Sequence, residues 1–278
     1  MRILITGGAG QLARVVCALW TDHELVVPEE TLLDLGDPGA IKSVVAQVRP
    51  QAVLNLGAFT QVDRCETSPD LALLINGTAV GWLAEACREQ GALLVHISTD
   101  YVFDGLASRP YREEDPTGPR SVYGRTKLAG EELARLAPEH LIVRSAWLYD
   151  AQGRNFYRTM VDAAAQGRAL RVVDDQRGTP TSCRALARQL HRAMAEGWRG
   201  LVHGTCHGET TWHGFAAEIF RQRGIQANLS PCATADYPLP APRPAYSVLS
   251  GQRRILLGSD LMPSWTSALA EVVAADCT

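Results

Sequence analysis

Residues 2–16 read RILITGGAGQLARVV, and this stretch decides the class of fold. Residues 3–6 are apolar and β-branched, which is typical of a buried strand. A tight turn follows at positions 7–10, where three of the four residues are glycine. Apolar side chains then recur with helical spacing between positions 12 and 19. The chain therefore opens with a strand, a glycine turn and a helix.

The same alternation of strand and helix recurs through the first half of the chain. Strands are predicted at residues 24–27, 52–56, 92–98 and 141–143, with helices from Asp37, from Asp70 to about Gln90 and from Ser121 to about Leu136. Such an alternation forms a parallel sheet with right-handed crossovers and helices on both faces. We predict a doubly wound, Rossmann-type α/β domain with ligands at the carboxyl ends of its strands.

The pattern loosens after Tyr149 and predicts a smaller second unit. A helix at about 155–166, a strand at 170–173, a turn at 175–180 and a helix at about 184–196 precede five prolines between positions 231 and 244 and a closing helix from about Ser264. So many prolines in a short interval disfavour regular structure. We expect a dinucleotide-binding domain at 1–148 plus about 178–205. A smaller, interleaved C-terminal substrate domain would comprise about 149–177 and 206–278.

Composition excludes several classes of protein. The 278 residues have a formal net charge of −3 and no run of like charges, so a nucleic acid partner is not expected. No apolar stretch approaches the length of a membrane span, and the first residues begin a strand instead of a targeting signal. Seven cysteines without CxxC spacing are interpreted as free thiols. These features predict a cytoplasmic protein.

The glycine turn predicts a site for a nicotinamide dinucleotide. Gly7, Gly10 and Ala13 have the spacing of a dinucleotide-binding turn, in which helix N-terminal amides face a pyrophosphate. Alone the motif is weak, because glycine turns also occur in unrelated α/β proteins. Glu29 and Glu30 follow the second strand, where a carboxylate accepts ribose hydroxyls and repels a 2′-phosphate. That placement favours NADH.

A second motif, Tyr123 and Lys127, places a phenol and an ammonium on one face of a helix. Reducing a ketone with hydride leaves an alkoxide that needs a proton, and a nearby ammonium would lower the pKa of the phenol that supplies it. An exposed Tyr and Lys pair is the alternative. Upstream, a buried strand ends at Ser98, Thr99 and Asp100, where a hydroxyl can hold a carbonyl oxygen, although Asp100 could equally cap a turn. The order of these three motifs makes them specific together.

These residues resemble the extended short-chain dehydrogenase/reductases, and among them the dTDP-4-dehydrorhamnose reductase family. Beyond the glycine turn the resemblance covers nearly the whole chain, through Asp34-Leu35, 55–66 (NLGAFTQVDRCE), 76–78 (NGT), 98–105 (STDYVFDG), 122–131 (VYGRTKLAGE), 144–147 (RSAW), 155–156 (NF), 175–181 (DQRGTPT) and 243–247 (RPAYS). Three residues depart from the family's usual pattern. Gly57 and Phe59 replace Ala and Tyr or His, and Tyr246 replaces Asn in the substrate half, where it could reshape the pocket.

The resemblance implies hydride transfer from NADPH or NADH to C4 of a nucleotide-linked 4-keto-6-deoxyhexose, and it allows a homodimer. The implied cofactor-binding residues are Gly7, Gly10, Gln11, Leu12, Asp34, Leu35, Gly57, Ala58, Phe59, Thr60, Tyr123 and Lys127. Tyr123 would be the proton donor and Lys127 the ribose ligand, with Thr99 tuning the donor. Thr99, Asp100 and Trp147 would contact the sugar. An indole suits a sugar ring, although Trp147 could instead serve interdomain packing.

Other functions remain as alternatives to dTDP-4-dehydro-L-rhamnose reduction. One is a ketoreductase for another dTDP-deoxysugar, and another is a non-catalytic subunit like the regulatory subunit of methionine adenosyltransferase. A nucleotide-sugar epimerase is disfavoured because such chains tend to be longer. His203, Cys206, His207 and His213 could suggest zinc, but they lack a supporting CxxC or HxxxH element, so no metal is predicted.

Overall fold

A six-stranded parallel sheet forms the centre of the structure, a computed structural model that describes residues 1–276. The strands are β1 (Arg2–Thr6), β2 (Glu24–Val26), β3 (Ala52–Asn55), β4 (Leu93–Thr99), β5 (His140–Ser145), β6 (Leu148–Tyr149), β7 (Leu170–Val173), β8 (Arg177–Gly178), β9 (Thr181–Ser182), β10 (Gly200–His203), β11 (Thr210–Thr211) and β12 (Leu229–Cys232). The order in the central sheet is β10-β5-β4-β3-β1-β2. The other six strands pair as β6 with β9, β7 with β12 and β8 with β11. This arrangement confirms the predicted doubly wound α/β fold.

Helices lie between the strands of this sheet and after them. They are α1 (Gln11–Leu19), α2 (Pro38–Val48), α3 (Val62–Thr67), α4 (Pro69–Leu73), α5 (Ala79–Gln90), α6 (Val122–Ala134), α7 (Phe156–Ala165), α8 (Cys183–Ala195), α9 (Trp212–Arg223), α10 (Gln252–Leu256) and α11 (Trp265–Asp276). Local signals set their ends. Asp37 caps α2 by accepting from the Gly39 amide, with Pro38 in the first turn, and α5 ends at Gly91 in the left-handed conformation.

Two apolar cores cover the two faces of the sheet, and a third lies outside it. Helices α1 and α8 pack on one face, where Val16 and Leu186 are fully buried. Helices α2 and α5 pack on the other face through residues such as Ile41 and Leu83. The third core joins α7, α9 and α11 around Phe215. Because α8 packs on the sheet while α7, α9 and α11 do not, we propose the predicted division, with 178–205 returning to the dinucleotide-binding lobe.

The structure departs from the predicted elements in several places, of which the following bear most on the site and the second unit. The helix expected to start at Asp70 starts at Pro69 after Ser68, and a π-helical turn at Leu74–Thr78 interrupts it. Pro231 lies inside strand β12, which is tolerated because β12 pairs with only one neighbour. Helix α9 was not predicted, although the Thr211 hydroxyl caps it by accepting from the Gly214 amide.

The cysteines within residues 1–276 form no disulfide, and six of them are free. The seventh, Cys277, lies outside the described residues. In the same part of the chain, no helix combines the length and the apolar character needed to cross a membrane.

Helix α6 lies against the π-helical turn so closely that Gly130 has no room for a side chain. A Cβ there would lie 2.2 Å from the Asn76 carbonyl oxygen. We expect Gly130→Ala to lower the free energy of unfolding by about 1–3 kcal/mol through overpacking. Gly81→Ala in α5 is the matched control, since its Cβ would make ordinary contacts at 3.5 Å or more and should stabilise by up to roughly 1 kcal/mol. Urea denaturation measures both, and equal effects would contradict the close approach.

Candidate active site

The glycine turn between β1 and α1 depends on the absence of side chains. Gly7 has φ of +66°, and a Cβ there would lie 2.6 Å from the backbone of Gly57 at the end of β3. The turn closes through the Gly10 amide, which donates to the Gly7 carbonyl oxygen at 2.9 Å. No side chain caps α1, so its first amides have no side-chain partner, and Gly10, Gln11 and Leu12 line the cavity. This geometry suits a pyrophosphate at the helix N-terminus.

The loop after β3 is held by Asn76, a residue that sequence reasoning did not assign to the site. Its side chain accepts from the Phe59 amide at 2.8 Å and donates to the Phe59 carbonyl oxygen at 3.1 Å. It also donates to the Thr126 hydroxyl on α6. Asn76 lies in the π-helical turn, a conformation that often occurs at functional sites. That turn therefore ties the loop at 57–60 to α6.

Tyr123 and Lys127 both lie on α6, whose N-terminus is capped by the Ser121 hydroxyl. The Lys127 ammonium donates to the Ile97 carbonyl oxygen at 2.7 Å, and its nitrogen lies 3.3 Å from His96 Nε2. Burial lowers the pKa of Lys127 to about 8, against the opposing effect of the Glu131 carboxylate. This lysine therefore titrates near neutrality.

Burial raises the pKa of Tyr123 above its usual range, while a hydrogen bond with Thr99 opposes the rise. Lys127 is not among the groups that shift this pKa. The expectation that the ammonium acidifies the phenol therefore does not describe the structure, because desolvation dominates and the lysine's hydrogen bonds go to β4. The phenol keeps its proton at neutral pH.

Strand β4 delivers Thr99 and Asp100 to the cavity. The Thr99 hydroxyl donates to the Asp100 carboxylate at 2.9 Å and accepts from the Tyr101 amide. Burial raises the pKa of Asp100 to about 6, and the neighbouring hydroxyls of Ser247 and Thr99 oppose the rise. Both interpretations of Asp100 therefore describe the structure: it lies in the short helical turn after β4, and it also lines the cavity.

Trp147 has a second tryptophan stacked on it. The ring centroids of Trp147 and Trp212 lie 3.5 Å apart, and the angle between the two ring planes is 7°. Trp147 has φ of +50°, and its ring lies so close to Gly178 that a Cβ there would be 2.4 Å away. One face of the Trp147 indole is therefore covered by protein. Trp212 was missed because its helix was not predicted.

One cavity of about 1160 Å³ contains all of the predicted site residues. They are Gly7, Gly10, Gln11, Leu12, Asp34, Leu35, Gly57, Ala58, Phe59, Thr60, Thr99, Asp100, Tyr123, Lys127 and Trp147. Trp212, Arg14 and Arg154 also line it. Tyr246 is not among the lining residues and donates to Glu209 at 2.9 Å. The cavity runs from the glycine turn to the tryptophan pair.

His203, His207 and His213, the histidines of the zinc alternative, lie apart in the structure. His203 is fully buried on β10, His207 pairs with Asp260 at 2.8 Å, and His213 lies 3.8 Å from Asp174. Within residues 1–276, the group with metal-ligand spacing is a different one, Asp22, His23 and His191, on the surface beyond α1.

Comparisons with known proteins agree with this geometry. Residues 1–277 match the family model described as RmlD substrate binding domain. A dTDP-4-dehydrorhamnose reductase from Streptomyces griseus is 42% identical over 99% of this chain and 94% of its own. A probable dTDP-4,6-dihydroxy-2-methyloxan-3-one 4-ketoreductase from Streptomyces antibioticus is 43% identical over 98% of this chain and 94% of its own.

Solved structures extend the agreement to the whole fold. The crystal structure of a dTDP-4-dehydrorhamnose reductase from Clostridium acetobutylicum covers 100% of both chains, with 41% identity and a TM-score of 0.97. The enzyme of the same name from Bacillus anthracis, solved in complex with NADP, has a TM-score of 0.96 and 32% identity over 99% of both chains.

Fold and site together define a Rossmann-type, NAD(P)H-dependent oxidoreductase. The chain belongs to the RmlD substrate binding domain family, which confirms the resemblance to the dTDP-4-dehydrorhamnose reductases.

Charge at one end of the cavity bears on the choice between NADH and NADPH. Glu29 and Glu30 line it just after Val27, which packs beside Gly8 of the glycine turn. We expect Glu29→Gln/Glu30→Gln to tighten NADPH binding roughly tenfold relative to NADH, because two carboxylates no longer repel the 2′-phosphate. Titration of each cofactor by fluorescence measures the ratio. Glu85→Gln/Glu89→Gln on α5 changes net charge equally and should leave the ratio unchanged. A ratio shifted alike in both double variants would contradict a local effect.

Proposed function

We propose that this chain transfers a hydride from NADPH or NADH to the C4 ketone of a dTDP-linked 4-keto-6-deoxyhexose, with dTDP-4-dehydro-L-rhamnose as substrate and dTDP-L-rhamnose as product. The observation that carries the proposal is the single cavity in which the glycine turn, the Tyr123 and Lys127 pair and the tryptophan pair meet. The names of the relatives support the class of substrate.

The cofactor would lie along the glycine turn and the ends of β2 and β3. Gly7, Gly10, Gln11 and Leu12 would hold the pyrophosphate with the first amides of α1. Asp34 and Leu35 would flank the adenine, and residues 57–60 would line the channel toward the nicotinamide. When bound, the reduced nicotinamide supplies the hydride. Lys127 would also bind the nicotinamide ribose.

Tyr123 would supply the proton. A ketone that receives a hydride becomes an alkoxide, so the acid must hold its proton at the start of the reaction. Burial keeps the phenol of Tyr123 in this protonated form. After the transfer, the Thr99 hydroxyl would stabilise the phenolate by turning its hydrogen from Asp100 to the Tyr123 oxygen. Burial and the Thr99 hydroxyl thus act at different stages of one proton transfer.

The sugar would lie between β4 and the tryptophan pair. Thr99 and Asp100 offer polar groups on one side, and Trp147 offers the exposed part of its indole on the other. An apolar wall opposite a few fixed polar groups is the usual design for binding a sugar ring.

We also propose that the protein works in the cytoplasm, where the free cysteines would stay reduced. A homodimer stays a prediction.

The test follows absorbance of the reduced nicotinamide with purified protein, NADPH or NADH, and enzymatically generated dTDP-4-dehydro-L-rhamnose. Oxidation with formation of dTDP-L-rhamnose supports the proposal. Parallel assays with dTDP-4-keto-6-deoxy-D-glucose test the rival ketoreductase function, since a relative is named for that reduction. No oxidation with either sugar at stoichiometric protein would contradict reductase activity and favour the regulatory-subunit alternative.

Tyr123→Phe tests the proton donor. We expect kcat to fall about 100- to 10,000-fold, because the ring remains while the proton is lost. Cofactor affinity should stay close to that of the unmodified protein. Single-turnover kinetics and a cofactor titration separate the two quantities. Tyr111→Phe removes a phenol outside the cavity and serves as the control. Turnover at the normal rate in Tyr123→Phe would assign the acid to another group.

Trp212→Leu tests the tryptophan pair. The change removes the ring stacked on Trp147, so we expect the KM for the sugar nucleotide to rise roughly 2- to 10-fold. The KM for the cofactor should not change. Trp82→Leu on α5 makes the same substitution outside the cavity lining. An unchanged sugar KM in Trp212→Leu would show that Trp147 needs no support.

A further inference from the structure

His96 is a fully buried histidine in direct contact with Lys127. It lies on β4, behind the wall of the cavity, and its Nε2 is 3.3 Å from the lysine nitrogen. Burial, followed by the charge of Lys127, holds the pKa of His96 well below its usual range. The ring is therefore neutral, and it carries a single proton that lies either on Nδ1 or on Nε2.

A chain of buried hydrogen bonds leads from His96 to the glycine turn. The Gly57 amide donates to the Thr6 hydroxyl at 3.0 Å, and that hydroxyl donates to the Asn55 side-chain oxygen at 2.6 Å. The Asn55 side-chain nitrogen then lies 3.0 Å from His96 Nδ1. The chain crosses three strands of the sheet, β1, β3 and β4, and ends at the lysine.

The direction of this chain sets the position of the histidine proton. A backbone amide can only donate, so the Thr6 hydroxyl accepts from Gly57 and directs its own hydrogen to the Asn55 oxygen. The Asn55 nitrogen must then donate to His96 Nδ1. The proton of His96 is left on Nε2, facing Lys127.

An amine can accept a hydrogen bond from Nε2, but an ammonium has no free electron pair. A charged Lys127 needs His96 Nε2 as an acceptor, so the histidine proton must move to Nδ1 and the Asn55 amide must turn over. The Thr6 hydroxyl then receives two donors, and its own hydrogen has no acceptor within the chain. This arrangement favours the neutral lysine.

We propose that His96 is a positioning residue for Lys127. The His96 ring, held by Asn55 and Thr6, sets how firmly the lysine keeps its proton. The tautomer of His96 and the charge of Lys127 then change together. This inference rests on the proposed function only for the meaning of its kinetic readout. It adds a control on the charge of the group that would bind the nicotinamide ribose.

Other charged groups around Lys127 come from three elements. Glu131 lies one turn along α6 and favours the ammonium. Its carboxylate is already held by two hydrogen bonds from Arg144 on β5, at 2.7 and 2.8 Å. Tyr123 on α6 is neutral, and Asp100 follows β4. Glu131 is thus partly neutralised, and His96 is the titratable side chain that hydrogen-bonds the lysine nitrogen directly.

Nuclear magnetic resonance of the cofactor-free protein with isotope-labelled histidine ring nitrogens tests the coupling without turnover. We expect His96 to stay neutral while its proton moves from Nδ1 to Nε2 as the pH rises through about 8, the pKa of Lys127. The His96→Gln variant assigns the signal. A single tautomer across this range, or a protonated ring, would overturn the inference whatever the activity of the enzyme.

The kinetic test uses the pH profile of kcat/KM, which reports the free enzyme. The rate should fall above pH 8 as Lys127 loses its proton. In His96→Gln the new amide can turn its oxygen toward the ammonium, so we expect this alkaline limb to move up by about one pH unit. Thr6→Val frees the Asn55 amide to turn, so it should move the alkaline limb in the same direction by a smaller amount. This variant replaces His96→Gln if His96→Gln does not fold. A lower rate at every pH with an unmoved limb would mean that His96 only fills space.

Discussion

The close contact of α6 with neighbouring backbone is the constraint on which the site depends. Two glycines make it. A Cβ at Gly124 would lie 2.2 Å from the Tyr101 carbonyl oxygen, and one at Gly130 the same distance from that of Asn76. Side chains at these positions would push the helix outward and admit water around Tyr123 and Lys127. The desolvation that holds the pKa of the phenol up and that of the lysine down is therefore a consequence of backbone packing.

The buried charge of Glu131 under this helix is tolerated because its carboxylate is fully paired. The carboxylate of Glu131 receives two hydrogen bonds from Arg144 and one from Ser98 at 2.6 Å. An unpaired charge in this position would cost several kcal/mol, of the order found for breaking a buried ion pair. The Arg144 guanidinium also lies 4.8 Å from the centre of the Phe103 ring. Helix α6 is thus held by fixed polar geometry as well as by apolar contact, which suits a helix that must place reacting groups precisely.

Sequence patterns predicted the sheet, the glycine turn, the strand-end residues and the Tyr123 and Lys127 pair, because these follow local rules. The other predicted cavity residues came from the family resemblance. Alternating strands and helices specify a parallel sheet, and its carboxyl ends bring the strand-end residues together. The patterns missed Asn76, His96 and Trp212 as site residues, because their contacts are with partners distant in sequence. Asn76 hydrogen-bonds Thr126, which lies 50 residues away in the sequence, and His96 hydrogen-bonds Asn55, which lies 41 residues away. The direction of the hydrogen-bond chain from Gly57 to His96 also depends on which donors and acceptors the fold brings together, and sequence spacing does not predict this.

The tryptophan end of the cavity shows how one departure from the family's usual pattern can leave the cavity wall unchanged. Tyr246 replaces the family's usual Asn, yet its hydroxyl donates to Glu209 and its ring lies 6.5 Å from that of Tyr111, outside the cavity lining. The wall is formed by Trp147, whose left-handed backbone conformation costs of order 1–3 kcal/mol. Stacking on Trp212 contributes about 0.5–1.5 kcal/mol beyond the area it buries. A strained residue kept in place by a comparable contact has a fixed indole orientation. At the proposed sugar site, that orientation would affect which sugar fits more than the identity of residue 246, which lies outside the cavity lining.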